Sequence, residues 1–299
     1  MQRVKDLLPL LDADILGHEC CYSGQIKEED GTITVLPFYL VAEAIDARVL
    51  EVMKALETRL EPIMYLSGPT NFRDQVAKRK GYKANRDPDA KPYHITNARV
   101  YITSRYNTYT SNGCEADDLL CISQAENLRR KDISFSQEKA ETVICTRDKD
   151  LRQCRGWHYG WEVGNQPEYK LRWVDELGDL DAKFIEGVSA KTGRPTRRFK
   201  KLSGTGLKWF YAQMLTGDNC DNIPGLKGVG GGKAYELLSE LESEADLLGV
   251  VIAEYQRVYE DSWEVEMMEQ AHLVYMINER NPDGSLKWWE IPYQDTKDS

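Results

Sequence analysis

Leu7-Leu-Pro-Leu-Leu-Asp-Ala-Asp14 opens the pattern from which the fold of this chain can be predicted. It is a short apolar run that stops at two acids, as a buried strand does when it delivers carboxylates to its carboxyl end. Pro9 favours an edge position for this strand, because proline cannot donate to a strand ladder. The pattern returns at Thr142-Val-Ile-Cys-Thr-Arg-Asp-Lys-Asp150.

Helical periodicity separates these runs. A helix is predicted from about Phe38 to Leu60, a second strand from Ile63 to Leu66, and another helix from Glu115. Strands that alternate with helices predict an α/β fold with a mostly parallel sheet and a site at the carboxyl ends of its strands.

We predict two domains, an α/β domain over 1–200 and a helical region over 201–299. Within the first, segment 71–105 is polar and basic. The pattern weakens over 157–206, which favours a linker or loop there. The helical region contains a glycine-rich turn within about 217–238.

The chain has 299 residues, of which 41% are hydrophobic and 29% charged, as in a folded globular protein. Its N-terminal stretch lacks the pattern of a signal peptide and no apolar run is long enough to span a bilayer, so we expect a cytoplasmic protein with no membrane partner. The net charge of −10 argues against nucleic-acid binding unless the acids cluster around cations.

The sequence does not favour a zinc site or catalysis by histidine. The seven cysteines form no C-x-x-C motif, and we expect them to be reduced. The four histidines are scattered and show no H-E-x-x-H spacing.

Acids recur at four separated places where strands end or helices begin. They are Asp12 and Asp14; Glu115, Asp117 and Asp118; Asp148 and Asp150; and Asp218 and Asp221. Any single pair is more often a solvated loop or a helix cap, but the recurrence favours one cluster. Oxygen ligands without His or Cys favour two Mg²⁺ or Mn²⁺ ions, which can activate water against a phosphodiester.

The glycine-rich turn does not fit a P-loop, because Lys227 stands where the first glycine is needed and Ala234 follows Lys233. It fits two helices joined by a turn, the second starting near Gly231, whose N–H groups would hold a DNA phosphate. An ordinary inter-helix turn is the alternative. Lys83 and Arg86 could likewise stabilise a scissile phosphate or form a solvated face, and Tyr82 could stack on a base or pack in the core.

Five motifs in order resemble the 5′-nuclease superfamily of flap endonucleases, 5′-nuclease domains of bacterial DNA polymerase I and phage 5′→3′ exonucleases. They are Leu11-Asp-Ala-Asp14, Gly81-Tyr-Lys-Ala-Asn-Arg86, Gly113-Cys-Glu-Ala-Asp-Asp118, Thr146-Arg-Asp-Lys-Asp-Leu151 and Gly217-Asp-Asn-Cys-Asp-Asn-Ile-Pro-Gly225. The length and the ending Lys287-Trp-Trp-Glu-Ile-Pro292 resemble exonucleases of short-tailed phages.

The resemblance implies a PIN-like sheet, a basic helical arch over about 71–105 and a helix-three-turn-helix. It implies one metal site of Asp12, Glu115 and Asp117 with Asp118 nearby, and a second of Asp148, Asp150, Asp218 and Asp221. Lys83 and Arg86 would be catalytic. The DNA-binding residues would be Arg73, Tyr82, Gly225, Gly228, Gly230, Gly231 and Lys233, with K⁺ as a further cofactor at the turn.

The implied activity is metal-dependent 5′→3′ exonuclease or 5′-flap endonuclease cleavage of duplex DNA, with an RNA/DNA hybrid as a further substrate and replication proteins as further partners. One departure stands out, because the family usually has an Asp at the end of the second strand, where this chain has Ser67. Ser67 acting through water, or Asp74, could replace it. Two alternatives stay open, a non-catalytic junction-binding protein and a small-phosphoester phosphohydrolase.

Overall fold

The computed structural model describes residues 6–87, 90–130, 137–188 and 192–292. The chain divides into two compact units. Unit 1 comprises residues 1–72, 86–173 and 276–287, and unit 2 comprises residues 73–85, 174–275 and 288–299. This division differs from the predicted ranges 1–200 and 201–299, since unit 2 takes in residues of the basic segment and of the predicted linker.

The elements are numbered along the chain. The strands are β1 Leu8–Asp12, β2 Gln25–Lys27, β3 Ile33–Val35, β4 Ile63–Leu66, β5 Asn107–Thr110, β6 Thr142–Cys145, β7 Gly156–Gly160, β8 Tyr169–Val174, β9 Leu180–Val188 and β10 Pro195–Gly204. The helices are α1 Ala13–Cys20, α2 Tyr39–Ala55, α3 Arg73–Val76, α4 Ile95–Arg105, α5 Ala116–Arg130, α6 Gly206–Thr216, α7 Gly231–Leu238, α8 Glu244–Tyr259 and α9 Trp263–Val274.

Unit 1 is built on a six-stranded sheet in the order β5-β4-β1-β6-β7-β8. The pairs β4–β5, β1–β4, β1–β6 and β6–β7 are parallel. Leu16, Ile45 and Ile102 belong to the cluster that covers one face, and Leu120 and Ile144 belong to a second cluster. The helices bury both faces of the sheet, as a parallel sheet requires. The α/β prediction is confirmed.

The strand containing Pro9 is central, so the predicted edge position is wrong. Pro9 pairs with Val143 of β6, whereas the pairing of β1 with β4 starts only at Leu10. The proline therefore precedes one of the two ladders, and its missing N–H interrupts no bond on that side.

The prediction of a linker or loop over 157–206 is also wrong, because that segment contains β7 to β10. Adjacent charged residues, Arg197 with Arg198 and Lys200 with Lys201, interrupt the apolar and polar alternation in β10, so the period of a strand was not visible in the sequence.

Unit 2 contains the antiparallel ribbon of β9 and β10 and a set of helices around an apolar core. Phe210, Leu247, Tyr255 and Met267 are fully buried in that core, and the Tyr255 hydroxyl donates to the Met214 carbonyl at 2.7 Å. The predicted helical C-terminal region is therefore confirmed. None of the helices in the described ranges has the length and apolar character that a membrane span would need.

Two cysteines of unit 1 depart from the prediction. Cys121 of α5 is bonded to Cys154, which follows the turn Asp150–Gln153. The expectation that all cysteines are reduced is thus wrong for this pair, because the fold brings together residues 33 positions apart.

Arg73, a predicted DNA-binding residue, has no exposed surface. Its Nε donates to the Leu273 carbonyl at 3.1 Å and its Nη2 to the Tyr275 carbonyl at 2.7 Å. Carbonyls at a helix C-terminus lack partners within the helix, and Arg73 supplies them for α9. The prediction of a direct contact with DNA is wrong, because the guanidinium is buried in the core of unit 2.

Arg73→Leu should lower the free energy of unfolding by roughly 2 to 4 kcal/mol, since each buried carbonyl left without a partner costs about 1 to 3 kcal/mol. Denaturant unfolding followed by circular dichroism measures this loss. Arg130→Leu is the matched control, because the Arg130 side chain is 75% exposed. Equal stability of the two variants would contradict the structural role of Arg73.

Candidate functional site

The carboxyl ends of three adjacent parallel strands define the candidate site of unit 1. These strands are β4, β1 and β6, which end at Leu66, Asp12 and Cys145. Since the strands run in the same direction, the residues that follow them lie along one edge of the sheet. The structure thus brings the acids after β1 and β6 to the same edge, as the sequence predicted.

Asp12 is the most deeply placed of these acids, with 1% of its surface exposed. Its Oδ1 accepts the N–H of Ile15 at 3.1 Å and so caps α1, and its Oδ2 accepts the Thr146 hydroxyl at 2.7 Å. The pKa of the Asp12 carboxyl is raised to about 7, mainly by burial, with smaller raising effects from the negative charges of Asp14 and Asp148 and lowering effects from the hydrogen bonds of Thr146 and Ile15. The charged form of Asp12 is therefore held at a cost in free energy, which a nearby positive charge would lower.

Thr146 connects Asp12 to the acids after β6. Its hydroxyl oxygen accepts the N–H of Asp148 at 2.9 Å, and Asp148 Oδ1 accepts the N–H of Asp150 at 2.8 Å. Lys149 Nζ lies 2.9 Å from Asp150 Oδ1. The turn that follows β6 is therefore held so that Asp148 stands beside Asp12.

The three acids at the start of α5 differ in their surroundings. Glu115 and Asp117 are half-buried. Asp118 is fully buried, and its two carboxylate oxygens accept the N–H groups of Glu115 and Ile277, both at 3.1 Å. This arrangement makes Asp118 an anchor for the backbone around Glu115.

Asp14 lies beside Ser67, the residue that stands where the resemblance leads us to expect a carboxylate after the second strand. Its Oδ2 accepts the N–H of Ser67, the residue after β4, at 2.7 Å, and it forms an ion pair with Arg99. Arg99 also donates to the Ser67 carbonyl. The position of Asp14 two residues after Asp12 is a sequence signal for this role, whereas nothing in the sequence connects Asp14 with Arg99, which is 85 residues away.

The chemistry of this donor set fits a hard divalent cation. Asp12, Asp14 and Asp148 interact through their charges, and one of them is buried, so an added cation would offset a repulsion that the fold imposes. Within the described ranges, no three His, Cys, Asp or Glu side chains are grouped closely enough to hold an ion as they stand.

Arg86 belongs to unit 1, where its positive charge helps to lower the pKa of His18, after the larger effect of burial. Lys83 belongs to unit 2, so the two residues of the predicted catalytic pair fall in different units.

Unit 2 brings Lys83 and Tyr82 to the loop that carries Asp221. The Tyr82 hydroxyl donates to Asp221 Oδ2 at 2.9 Å, and Lys83 Nζ lies 3.6 Å from the same oxygen. The N–H of Lys83 donates to the Asp221 carbonyl at 2.9 Å, with Lys83 at a φ of 53°. A non-glycine residue in the left-handed region costs free energy and persists where the surroundings hold it, which is frequent at functional sites.

Asp218 is buried with 7% of its surface exposed, and its Oδ1 accepts the N–H of Cys220 at 2.8 Å. The loop that follows α6 needs glycine at both ends. A Cβ on Gly217, where φ is 66°, would lie 2.3 Å from the Ile223 carbonyl oxygen, and one on Gly225 would lie 2.3 Å from that of Thr216. Gly225, a predicted DNA contact, thus has a structural reason to be glycine.

The glycine turn leads into α7, which begins at Gly231 as the sequence predicted. Gly230 precedes it and no side chain caps the helix, so the first N–H groups of α7 are left for another acceptor. Gly228 has a φ of 82°. Lys233 Nζ lies 3.0 Å from Glu254 Oε2, which partly neutralises its charge.

Comparison with known proteins supports the fold. No protein-family profile matches the sequence. DNA polymerase I of Bacillus caldotenax is 23% identical over 190 residues, or 63% of this chain, and the match spans only 19% of that protein.

Two solved structures of the D15 protein of bacteriophage T5 are similar to this chain. One is the protein co-crystallised with metal ions, with a TM-score of 0.51, and the other is the flap endonuclease in a pseudo-enzyme-product complex with DNA and metal ions, with a TM-score of 0.52. Each is 15% identical, and each alignment covers 89% of this chain and 88% of the other. At this level of identity the likeness shows that the chain shares the fold of the T5 D15 protein.

Asp12→Asn should stabilise the protein in a chelator at pH 8. Because the pKa of Asp12 is raised from 3.8 to about 7, its charge costs free energy of folding that is fully present above pH 7. We expect the melting temperature to rise by ~2 to 4 °C, which corresponds to about 1 kcal/mol in a domain of this size. Calorimetry measures the shift, and Glu29→Gln, which neutralises an exposed acid of the same unit, is the control. A lower melting temperature than that of the control would contradict the proposed strain.

Proposed function

We propose that this chain is a divalent-metal-dependent 5′-nuclease that hydrolyses DNA phosphodiesters as a 5′→3′ exonuclease or a 5′-flap endonuclease. The observation that carries the proposal is the buried carboxylate of Asp12, held beside Asp14 and Asp148 at the carboxyl edge of a parallel sheet. The fold shared with the T5 flap endonuclease supports the same activity.

Within unit 1, the carboxylates that would hold Mg²⁺ or Mn²⁺ are those of Asp12, Glu115, Asp117, Asp148 and Asp150. When bound, two such ions would activate water and neutralise the leaving oxygen of the phosphodiester. Asp118 would position Glu115 through its backbone N–H. Asp218 and Asp221 remain predicted ligands.

Lys83 would bind the scissile phosphate. Its ammonium group lies 3.6 Å from the Asp221 carboxylate and 4.8 Å from the centre of the Tyr82 ring. A lysine fixed in this way would stabilise the negative charge that develops on a phosphate in the transition state. Asn222 Nδ2 donates to the Gly81 carbonyl at 2.8 Å and helps to hold the segment that carries Lys83.

The glycine turn supports duplex DNA as the substrate. The uncapped N-terminus of α7 offers backbone N–H groups to a phosphate, as helix N-termini commonly do. The same proposal includes an RNA/DNA hybrid as a further substrate and K⁺ bound at the turn. It also includes replication proteins as partners and a role in phage DNA replication or host DNA degradation in the cytoplasm.

A 5′-labelled flap duplex incubated with Mg²⁺ tests the activity. The wild-type chain should release a short flap if it is an endonuclease or mononucleotides if it is an exonuclease, and gel sizing of the labelled product separates the two. Asp148→Asn and Asp150→Asn should each lower turnover by about 10³-fold, since a metal contact is worth several kcal/mol in the transition state. Their duplex affinity should stay near that of the wild type. Wild-type turnover by both variants, or no cleavage by the wild type, would refute the proposal.

Lys83→Ala should act on the chemical step. Removal of one stabilising donor typically lowers kcat by about 10² to 10³-fold, and we expect that effect with little change in affinity for the flap duplex. Single-turnover kinetics with separate binding measurements distinguish the two effects. Lys54→Ala, at the exposed end of α2, is the control. A loss of affinity with unchanged turnover at saturating DNA would remove Lys83 from the reaction.

A further inference from the structure

The β9–β10 ribbon is the longest strand pair of unit 2. Pro195 pairs with Val188 and Gly204 with Leu180, and the register shifts between Phe199 and Lys201. This shift leaves Lys200 in a bulge. Because strand side chains alternate, the register assigns each paired residue to one of two faces.

The inner face packs on the glycine turn. A Cβ on Gly231 would lie 2.5 Å from the Phe199 ring and 3.2 Å from Leu202 Cβ. Leu180 and Leu202 also pack against the core of unit 2. The ribbon is therefore anchored beside the N-terminus of α7.

The outer face is cationic. Lys183 and Lys201 are cross-strand partners, Arg198 lies on the same face opposite Ile185, and all three cations are exposed. Asp181 is the acid on this face. Within the residues that the structure describes, Lys183, Arg198 and Lys201 form no ion pair.

Two lysines placed directly opposite each other destabilise a strand pair. The ribbon keeps Lys183 opposite Lys201, although an acid at either position would form a favourable pair. This repulsion would be relieved by an anion that lies across both strands. The chain as a whole is acidic, with a net charge of −10. The cations on this face therefore form a local positive patch.

We propose that the outer face of the β9–β10 ribbon binds the phosphate backbone of duplex DNA beside the glycine turn. The identity of the nucleic acid rests on the proposed function. The ten residues of β10 would extend roughly 33 Å, which is close to one turn of duplex DNA. The outer face carries no aromatic ring, whereas single-stranded nucleic acids are usually held by stacking on such rings. Phe184 and Phe199 lie on the inner face.

The test uses the combined variant Lys183→Ala, Arg198→Ala and Lys201→Ala in the full chain. Binding of a flap duplex of about 30 base pairs is measured in a chelator at about 50 to 200 mM salt, where phosphate contacts govern affinity. We expect the slope of log K against log salt to fall by about 2 to 3, since each phosphate contact contributes about 0.9. The dissociation constant should rise about tenfold or more.

The matched control removes three exposed cations of unit 1, with Lys27→Ala, Lys54→Ala and Arg59→Ala. It changes the net charge equally and should leave the salt slope near that of the wild type. A second variant, Lys201→Glu, places opposite charges across the ribbon. It should raise the melting temperature and weaken duplex binding, a combination that a purely structural role for Lys201 does not produce.

A wild-type salt slope in the triple variant would overturn the ribbon proposal. A loss of affinity confined to single-stranded DNA or to an acidic peptide would overturn it as well. The proposed nuclease activity is tested separately by Mg²⁺-dependent cleavage. If the wild type binds the duplex through the ribbon but does not cleave a flap, the nuclease proposal fails and the ribbon proposal stands. If the wild type cleaves and the triple variant binds equally well, only the ribbon proposal fails.

Discussion

The burial of one negative charge constrains much of unit 1. Asp12 ends the central strand, caps α1 and accepts the hydroxyl of Thr146, so its carboxylate cannot move away from the sheet without loss of these contacts. Burial and the nearby charges of Asp14 and Asp148 raise its pKa to about 7. A cation would stabilise a fold that holds a carboxylate under these conditions, and this connects the architecture with the proposed metal-dependent chemistry.

Each unit, taken by itself, contains residues on which the proposed function rests. Unit 1 provides carboxylates through strands that run in one direction, since only parallel neighbours place the residues after β1 and β6 at the same edge. Unit 2 provides a fixed lysine and a helix start without a side-chain cap. Glycines at positions 217 and 225 allow the loop between α6 and α7 to fold back tightly on itself.

Net charge would be a poor guide to the proposed DNA partner. The acids that dominate the total include those at the sheet edge, where a cation would screen them, while the cations of the β9–β10 ribbon lie together on an exposed face. The field that a phosphate meets depends on this distribution, because charges separated by more than about 10 Å are largely screened in salt.

Local sequence determined the elements whose signals lie within a few residues: strands β4 and β6, the start of α7, and the acids that follow β1 and β6. Periodicity, glycine and helix-start acids act at that range. Tertiary structure alone decided the central place of Pro9, the burial of Arg73, the ion pair of Asp14 with Arg99 and the bond between Cys121 and Cys154. Each of these depends on a partner distant in the chain, and no local pattern records which distant residue the fold brings into contact.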